Sequence, residues 1–254
     1  NVIKQKKYSL CHLIKEQKII LREGLADFEK MGEKNMTRTT FEHELSILHT
    51  DVLKMGTALE KTIDYLLEGL TKRNAELLQQ VVQRDDIIDQ LEAEIEKECI
   101  TLILQQQPVA SDLRNVTSVL KMITDIERIA DHCTDIAEYF MKILLHHEKC
   151  TFVIEPITEM AIQVKQMISK TIDAYVKLDD KMAIEIAKSD DKVDQYFHDI
   201  TKQIQQKMKQ DNAFVEEGIY FLYIIKYLER MADHTTNICE WIVYRVTGKR
   251  KQYN

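Results

Sequence analysis

From Phe41 onward apolar side chains recur every three or four positions, and the residues between them are charged or polar. Leu45, Leu48, Val52, Leu53, Leu59, Ile63 and Leu66 form one such stripe and predict a helix from Phe41 to about Thr71. Steps of three and four return to the same face of a helix with 3.6 residues per turn. A second helix is predicted from about Asn74 to Gln106, ending before Pro108, which cannot continue the hydrogen-bond ladder. The third runs from about Ala110 to His147, opened by a Ser111 or Asp112 cap. Lys149–Glu155 holds β-branched residues without helical period and reads as a linker, with Pro156 at the first turn of the fourth helix. That helix reaches about Leu178; a fifth spans Asp180 to Gln210, and a sixth spans about Ala213 to Val246 before Gly248. One apolar stripe per helix has to be buried against two neighbours. The fold expected is therefore all-α, six long helices in two three-helix bundles.

Composition agrees. Six glycines and two prolines in 254 residues leave little turn-forming material. A formal charge of −7 with no concentrated basic face argues against nucleic acid as the main partner. The one basic cluster, Lys249-Arg250-Lys251, reads as a solvated tail. No aliphatic run approaches the ~18–20 residues of a spanning helix. Cys11, Cys99, Cys133, Cys150 and Cys239 are scattered, with no Cys-x-x-Cys, and fit a reduced cytosolic protein; Cys133 and Cys239 read as packing thiols.

The two halves are copies. Glu127-Arg-Ile-Ala-Asp-His-Cys-Thr-Asp-Ile-Ala-Glu138 returns as Glu229-Arg-Met-Ala-Asp-His-Thr-Thr-Asn-Ile-Cys-Glu240, identical in eight of twelve columns at a shift of 102. Asp85-Asp86-Ile87-Ile88-Asp89-Gln90 returns as Asp190-Asp191-Lys192-Val193-Asp194-Gln195, shifted by 105, and Thr62-Ile63-Asp64 as Thr171-Ile172-Asp173, shifted by 109. Residues 37–148 thus read as repeat 1, 149–155 as linker, 156–248 as repeat 2 and 249–254 as basic tail. Residues 1–36 read as an extension outside the repeat. Met36 is the expected natural start, the alternative being an amphipathic helix on Leu10, Leu13, Ile14 and Leu21.

Each bundle then carries two acidic i,i+4 pairs, on its second and third helices: Asp85/Asp89 with Glu127/Asp131, and Asp190/Asp194 with Glu229/Asp233. Residues four apart share a helix face, and neighbouring antiparallel helices lie ~8–10 Å apart. Counted from the intervening turns, the pairs lie at matching heights. One acidic pair alone would be an ordinary solvated face. Recurrence in both halves argues otherwise, and so does Glu127 at the end of the interfacial stripe Val116, Leu120, Ile123. The reading is metal binding, and all-oxygen donors select hard or borderline cations such as iron(III), manganese, magnesium or calcium. A ferritin-like di-iron site would need Glu-x-x-His. Here His132 and His234 directly follow the aspartates, about 100° round the helix, so they are expected to pack or bond at the flank. Arg128 and Arg230 are expected in plain ion pairs.

Gln107-Pro108-Val109-Ala110-Ser111-Asp112-Leu113-Arg114, Glu127-Arg128-Ile129-Ala130-Asp131 and Leu228-Glu229-Arg230-Met231-Ala232-Asp233-His234 closely resemble the PhoU phosphate-uptake regulators, over about Thr37 to Lys249. The resemblance implies two three-helix bundles related by a pseudo-twofold, in a cytoplasmic, non-enzymatic homodimer that reaches the membrane only through partners. It implies negative regulation of phosphate uptake and of the phosphate-starvation response, through the ATP-binding subunit of the phosphate ABC transporter and the phosphate sensor histidine kinase. It also implies multinuclear metal clusters, iron first and zinc, manganese or magnesium as alternatives, on Asp85, Asp89, Glu127, Asp131, Asp190, Asp194, Glu229 and Asp233. Asp135 departs from the family, which often has Asn there, as Asn237 stands in the second copy; the first site gains a carboxylate. Competing readings are a carboxylate-bridged metal enzyme (oxidase or phosphate-ester hydrolase) and a metal-free helical adaptor.

Overall fold

The computed structural model describes residues 36–146, 152 and 154–253, with side chains from residue 39 and that of His146 excepted. The extension before residue 36 and most of the 149–155 linker lie outside the described residues. Six helices follow in chain order: α1 (Met36–Lys72), α2 (Ala75–Gln83 and Asp85–Gln106), α3 (Ala110–His146), α4 (Glu155–Lys177), α5 (Asp180–Lys188 and Asp191–Gln210) and α6 (Val215–Thr247), the last entered through a 3₁₀ turn at Asn212–Phe214. No strand occurs among the described residues.

The first turn is duplicated with the sequence. Arg73 takes a left-handed conformation (φ 51°), and the Asn74 amide reaches back to Gly69 O at 3.0 Å. The Asn74 side chain then caps α2 by accepting from the Glu76 and Leu77 amides. In the second half Leu178 (φ 52°) takes the same conformation, Asp179 N bonds Ala174 O at 3.0 Å, and the Asp179 carboxylate caps Met182. Neither left-handed residue is glycine; each closes a helix by satisfying carbonyls of its last turn.

Helices α2 and α5 are each interrupted once, at matching places. At Arg84 and at Ser189–Asp190 the backbone bonds shorten to three-residue steps, Arg84 N to Val81 O (3.1 Å) and Ser189 N to Ile186 O (2.9 Å). No glycine or proline marks either place, so the apolar period alone predicted unbroken helices. Two side chains support the tightening. Arg84 reaches Thr62 Oγ1 at 3.2 Å, with its guanidinium over Tyr65, and Ser189 Oγ donates to Ile186 O at 2.6 Å. Each interruption falls directly before an acidic pair.

Within repeat 1, α3 packs on both segments of α2, and Gly69 of α1 lets Leu78 of α2 approach. Within repeat 2, α6 packs on α4 and α5. Two antiparallel helix pairs join the repeats. Along α3 and α6, Arg114 bonds the Arg245 carbonyl, Asp125 meets His234, and Phe140 meets Phe221 edge-on. Along α1 and α4, Gly56 meets Ile172, Glu60 meets Ser169 and Asp64 pairs with Lys165. Val116, Ile123, Ile129, Phe140, Phe221, Ile224 and Leu228 are essentially inaccessible here. Each such side chain contributes about 1.5–3 kcal/mol by leaving water. A small apolar cavity remains between the repeats, lined by Val52, Gly56, Met122, Ile168, Ile172 and Ile238.

One local expectation is corrected. Helix α3 starts before Ser111 and Asp112, because the Val109 carbonyl takes the Leu113 amide at 2.9 Å. Lys249, Arg250 and Lys251 are exposed, and the tail also makes contacts. Arg250 lies 4.1 Å over the Trp241 ring and 3.8 Å from Glu240, and the Tyr253 amide donates to Glu240 at 2.9 Å. Glu240 is buried, and the tail supplies its partners.

Candidate metal centre

Asp85 opens the second segment of α2 and Asp89 follows one turn later. Glu127 and Asp131 sit half-way along α3, where it crosses α2. One carboxylate oxygen each from Asp85, Asp89 and Asp131 lies within 4.8 Å of the other two. Glu127 stands alongside, with Asp131, Glu92 and Asp89 among the charges acting on it. Burial, then the neighbouring Asp131, pushes Glu127 up to about 7. Burial, then Asp131 and Asp89, pushes Asp85 up to about 6. Asp131 is raised by burial and then by Asp89, and Asp135 by burial. Two unit charges this close repel by ~3–4 kcal/mol at an effective dielectric of 20. The rest of the fold holds the group together against that repulsion.

The site fits a hard cation. Its donors are all carboxylate oxygens. The Oδ1 of Asp85 is buried without a well-formed hydrogen bond, and the Thr134 hydroxyl beside it is a donor within reach that pulls Asp85 back down against burial and the neighbouring aspartates. A buried carboxylate oxygen with so weak a donor contact is costly, and a cation would remove both that cost and the repulsion.

In repeat 2 the same helices place Asp190 at the interruption of α5, with Asp194 one turn on and Glu229 and Asp233 on α6. Asp190 is buried and Asp194 exposed. Asp233 is raised by burial and then by Glu229, with Asp194 acting from across the helix pair. The convergence of three donor oxygens seen in repeat 1 is not reproduced there among the described residues. Lys226 instead pairs with Glu229.

The motif histidines face the join between repeats. His234 Nδ1 lies 2.8 Å from Asp125 Oδ1, and Asn237 Nδ2 donates to the same oxygen at 3.2 Å. His132 lies 3.5 Å from Asp135 and 5.1 Å from the Tyr227 ring, with the two imidazoles 5.5 Å apart across the pseudo-twofold. Burial, then His234, pushes His132 down to about 4, so it is neutral. Sequence reasoning passed over Asp125, Thr134 and Lys226. The signal available was mismatch between the copies at two of them, for Tyr227 stands where Asp125 does and Thr124 where Lys226 does. Arg128 pairs with the adjacent Glu127 at 3.5 Å. Cys99, Cys133 and Cys239 are buried, and burial holds all three thiols well above the usual range, Cys99 and Cys239 at about 12.

A duplicated three-helix unit with a carboxylate group at the same place in each copy is a specific arrangement. The PhoU domain family model matches twice, over residues 52–140 and 157–242. The chain belongs to the PhoU family. A homologue from Clostridium acetobutylicum, described as a phosphate-specific transport system accessory protein, is 40% identical over 220 residues, covering 86% of this chain and all of that protein. One from Pseudomonas aeruginosa with the same description is 30% identical, covering 82% and 86%. The crystal structure of the phosphate transport system regulatory protein PhoU from Streptococcus pneumoniae superposes with a TM-score of 0.78 at 31% identity, over 84% of this chain and 99% of that one. PhoU from Pseudomonas aeruginosa superposes at 0.79 with 29% identity, over 82% and 100%. Both superpositions span the two repeats, so the whole six-helix architecture is that of the family. No helix among the described residues is long and apolar enough to cross a membrane.

Proposed function

We propose that this protein is a negative regulator of phosphate uptake and of the phosphate-starvation response. It acts as a non-enzymatic homodimer that docks on the ATP-binding subunit of the phosphate ABC transporter and on the phosphate sensor kinase at the cytoplasmic face of the membrane. The observation carrying this reading is the match of the PhoU model to both repeats, together with full-length coverage of a relative described as a phosphate transport accessory protein. It is a transfer of function from family to member. Deletion of the gene in its host should turn on phosphate-starvation genes in phosphate-replete medium. Continued repression in a clean deletion with no second copy of the gene counts against it.

The carboxylate group of repeat 1 is the proposed metal site, with Asp85, Asp89 and Asp131 as ligands and Glu127 alongside. Iron is the first candidate, then manganese, magnesium or zinc. A bound cation would neutralise the cluster and pin α2 to α3, fixing the surface those helices present to a partner. The ligands support this by their convergence and by the poorly satisfied Asp85 oxygen. Elemental analysis of protein purified without chelator tests it; chains free of metal after exposure to each cation reject it.

A further inference from the structure

The two repeats place different residues at one cross-helix contact beside the carboxylates. In repeat 1 it joins Thr124 of α3 to Glu92 of α2, the hydroxyl donating to the carboxylate at 3.3 Å. The equivalent positions in repeat 2 are Lys226 of α6 and Phe197 of α5. The Lys226 ammonium lies 5.4 Å from the Phe197 ring centroid. It also pairs with Glu229 Oε2. Its charge reaches Asp233, where it opposes the raising effect of burial and of Glu229. One lysine therefore spans from the α5 side of the group to Glu229 of α6. A surface i,i+3 pair alone would be worth little. This ammonium has an aromatic seat on the neighbouring helix, a bond to Glu229 and a charge that acts on Asp233.

Three exchanges around the two groups run in one direction, while Arg84, directly before Asp85, is Ser189 in repeat 2 and runs the other way. Repeat 1 has Glu92 where repeat 2 has Phe197, Thr124 where it has Lys226, and Asp135 where it has Asn237. At those three positions repeat 1 gains acids; repeat 2 loses them and gains a cation. Arg128 pairs with the adjacent Glu127 at 3.5 Å from a largely exposed position and acts on Asp131, whereas Arg230 acts on His132.

We infer that Lys226 is a built-in counter-ion occupying the cation position of repeat 2, so that this chain takes up metal at repeat 1 alone. The inference builds on the metal reading of repeat 1 and departs from the two metal sites that the family resemblance implied. An ammonium held by Glu229 and seated on Phe197 raises the cost of bringing in a second cation, through Coulomb repulsion and through the bond that must break. The pseudo-symmetric molecule is then functionally one-sided: one repeat responds to metal and the other stays folded around a fixed charge.

The test uses the full chain and manganese(II), followed by equilibrium dialysis with elemental analysis and by the EPR signal of the free ion. Glu127→Gln/Asp131→Asn should remove tight manganese binding, while Glu229→Gln/Asp233→Asn should leave it unchanged. Adding Lys226→Thr to the Glu127→Gln/Asp131→Asn protein should create manganese binding about 10-fold or more tighter than that background shows. Equal loss from the two carboxylate variants overturns the inference, as does failure of Lys226→Thr to create binding. Thermal midpoints in chelator judge the lysine independently of any metal, by a double-mutant cycle. Lys226→Thr should lower the midpoint in the parent and have no effect once Glu229 and Asp233 are amides; an equal drop in both backgrounds refutes the counter-ion role. If no variant or parent binds manganese, the metal reading of repeat 1 fails, and the cycle still decides the role of Lys226.

Discussion

His49 ties α1 of the first repeat to α4 and α6 of the second, and it should make the join between repeats sensitive to acid. Arg245 donates to His49 Nε2 at 2.8 Å, and His49 Nδ1 lies 2.7 Å from the Tyr175 hydroxyl. A guanidinium has only donors, so Nε2 carries the lone pair and Nδ1 keeps the proton, donating it to Tyr175. Protonating Nε2 would set one N–H against another. Burial, then the Arg245 charge, pushes His49 from 6.5 down to about 3. A histidine with a depressed folded pKa contributes stability that is present above its unfolded pKa and is lost as pH falls below it. At pH 5 the unfolded chain holds the proton and the folded one does not. The loss is about 2 kcal/mol for full burial, and about 1–2 kcal/mol after allowing for a part-solvated ring. For a chain of this size each kcal/mol moves the midpoint by roughly 2–4 °C, giving about 2–8 °C. The control is His49→Gln, whose amide oxygen accepts from Arg245 and does not titrate. Midpoints of both proteins in chelator, from pH 7.5 to 5, cancel every other titrating group, including the raised carboxylates that push the opposite way. The wild type should lose 2–8 °C relative to the variant, starting below about pH 6.5. A difference that stays flat across that range refutes the reasoning.

Three further outcomes follow from the geometry. With chelator at pH 8, Glu127→Gln/Asp131→Asn should raise the midpoint. The raised Glu127 contributes stability only while protonated, lost as pH climbs to about 7, and the amides recover roughly 1–3 kcal/mol of it; a fall would show that the acids support the fold. Gly69→Ala should destabilise by about 1–3 kcal/mol in urea titrations, because its Cβ would lie 2.8 Å from Leu78 Cδ2 of a fully buried side chain. Gly56→Ala meets only the movable Ile172 Cδ1 at 3.2 Å and gains helix propensity, so it should be neutral or better; equal losses at both sites would contradict the packing. Arg250→Ala should uncover the single tryptophan, Trp241, red-shifting its emission and raising iodide quenching; an unchanged spectrum would mean the tail does not hold that contact.

The helix register was readable because burial imposes it locally. Leu48, Val52, Leu59, Ile63 and Leu66 recur at helical spacing, and all five are buried. The duplication was readable as well, since two copies of one motif need the same surroundings and keep the same residues. The interruptions at Arg84 and Ser189–Asp190 were not. They depend on whether Arg84 finds Thr62 on another helix and whether a serine bonds back to its own turn, and neither changes the apolar period. The contacts of the tail were hidden for a related reason: its basic run is exposed, as it reads, and only the packed chain brings it to the buried Glu240 and the face of Trp241.

The sequence by itself determined that the chain is helical, that it is built twice, and which acids share a helix face, because those properties depend on neighbours within a turn or on self-similarity. Only the tertiary structure decided what the acids do together. Asp85, Asp89 and Asp131 come from two helices, and their mutual approach depends on where α2 breaks and how α3 crosses it. In repeat 2 it is Glu229 that meets Lys226, at a spacing that marks an ordinary surface pair until Phe197 is seen beneath the ammonium. Charge acts through space and across helices, so the balance of each site is a property of the packed pair of helices and is carried by neither alone.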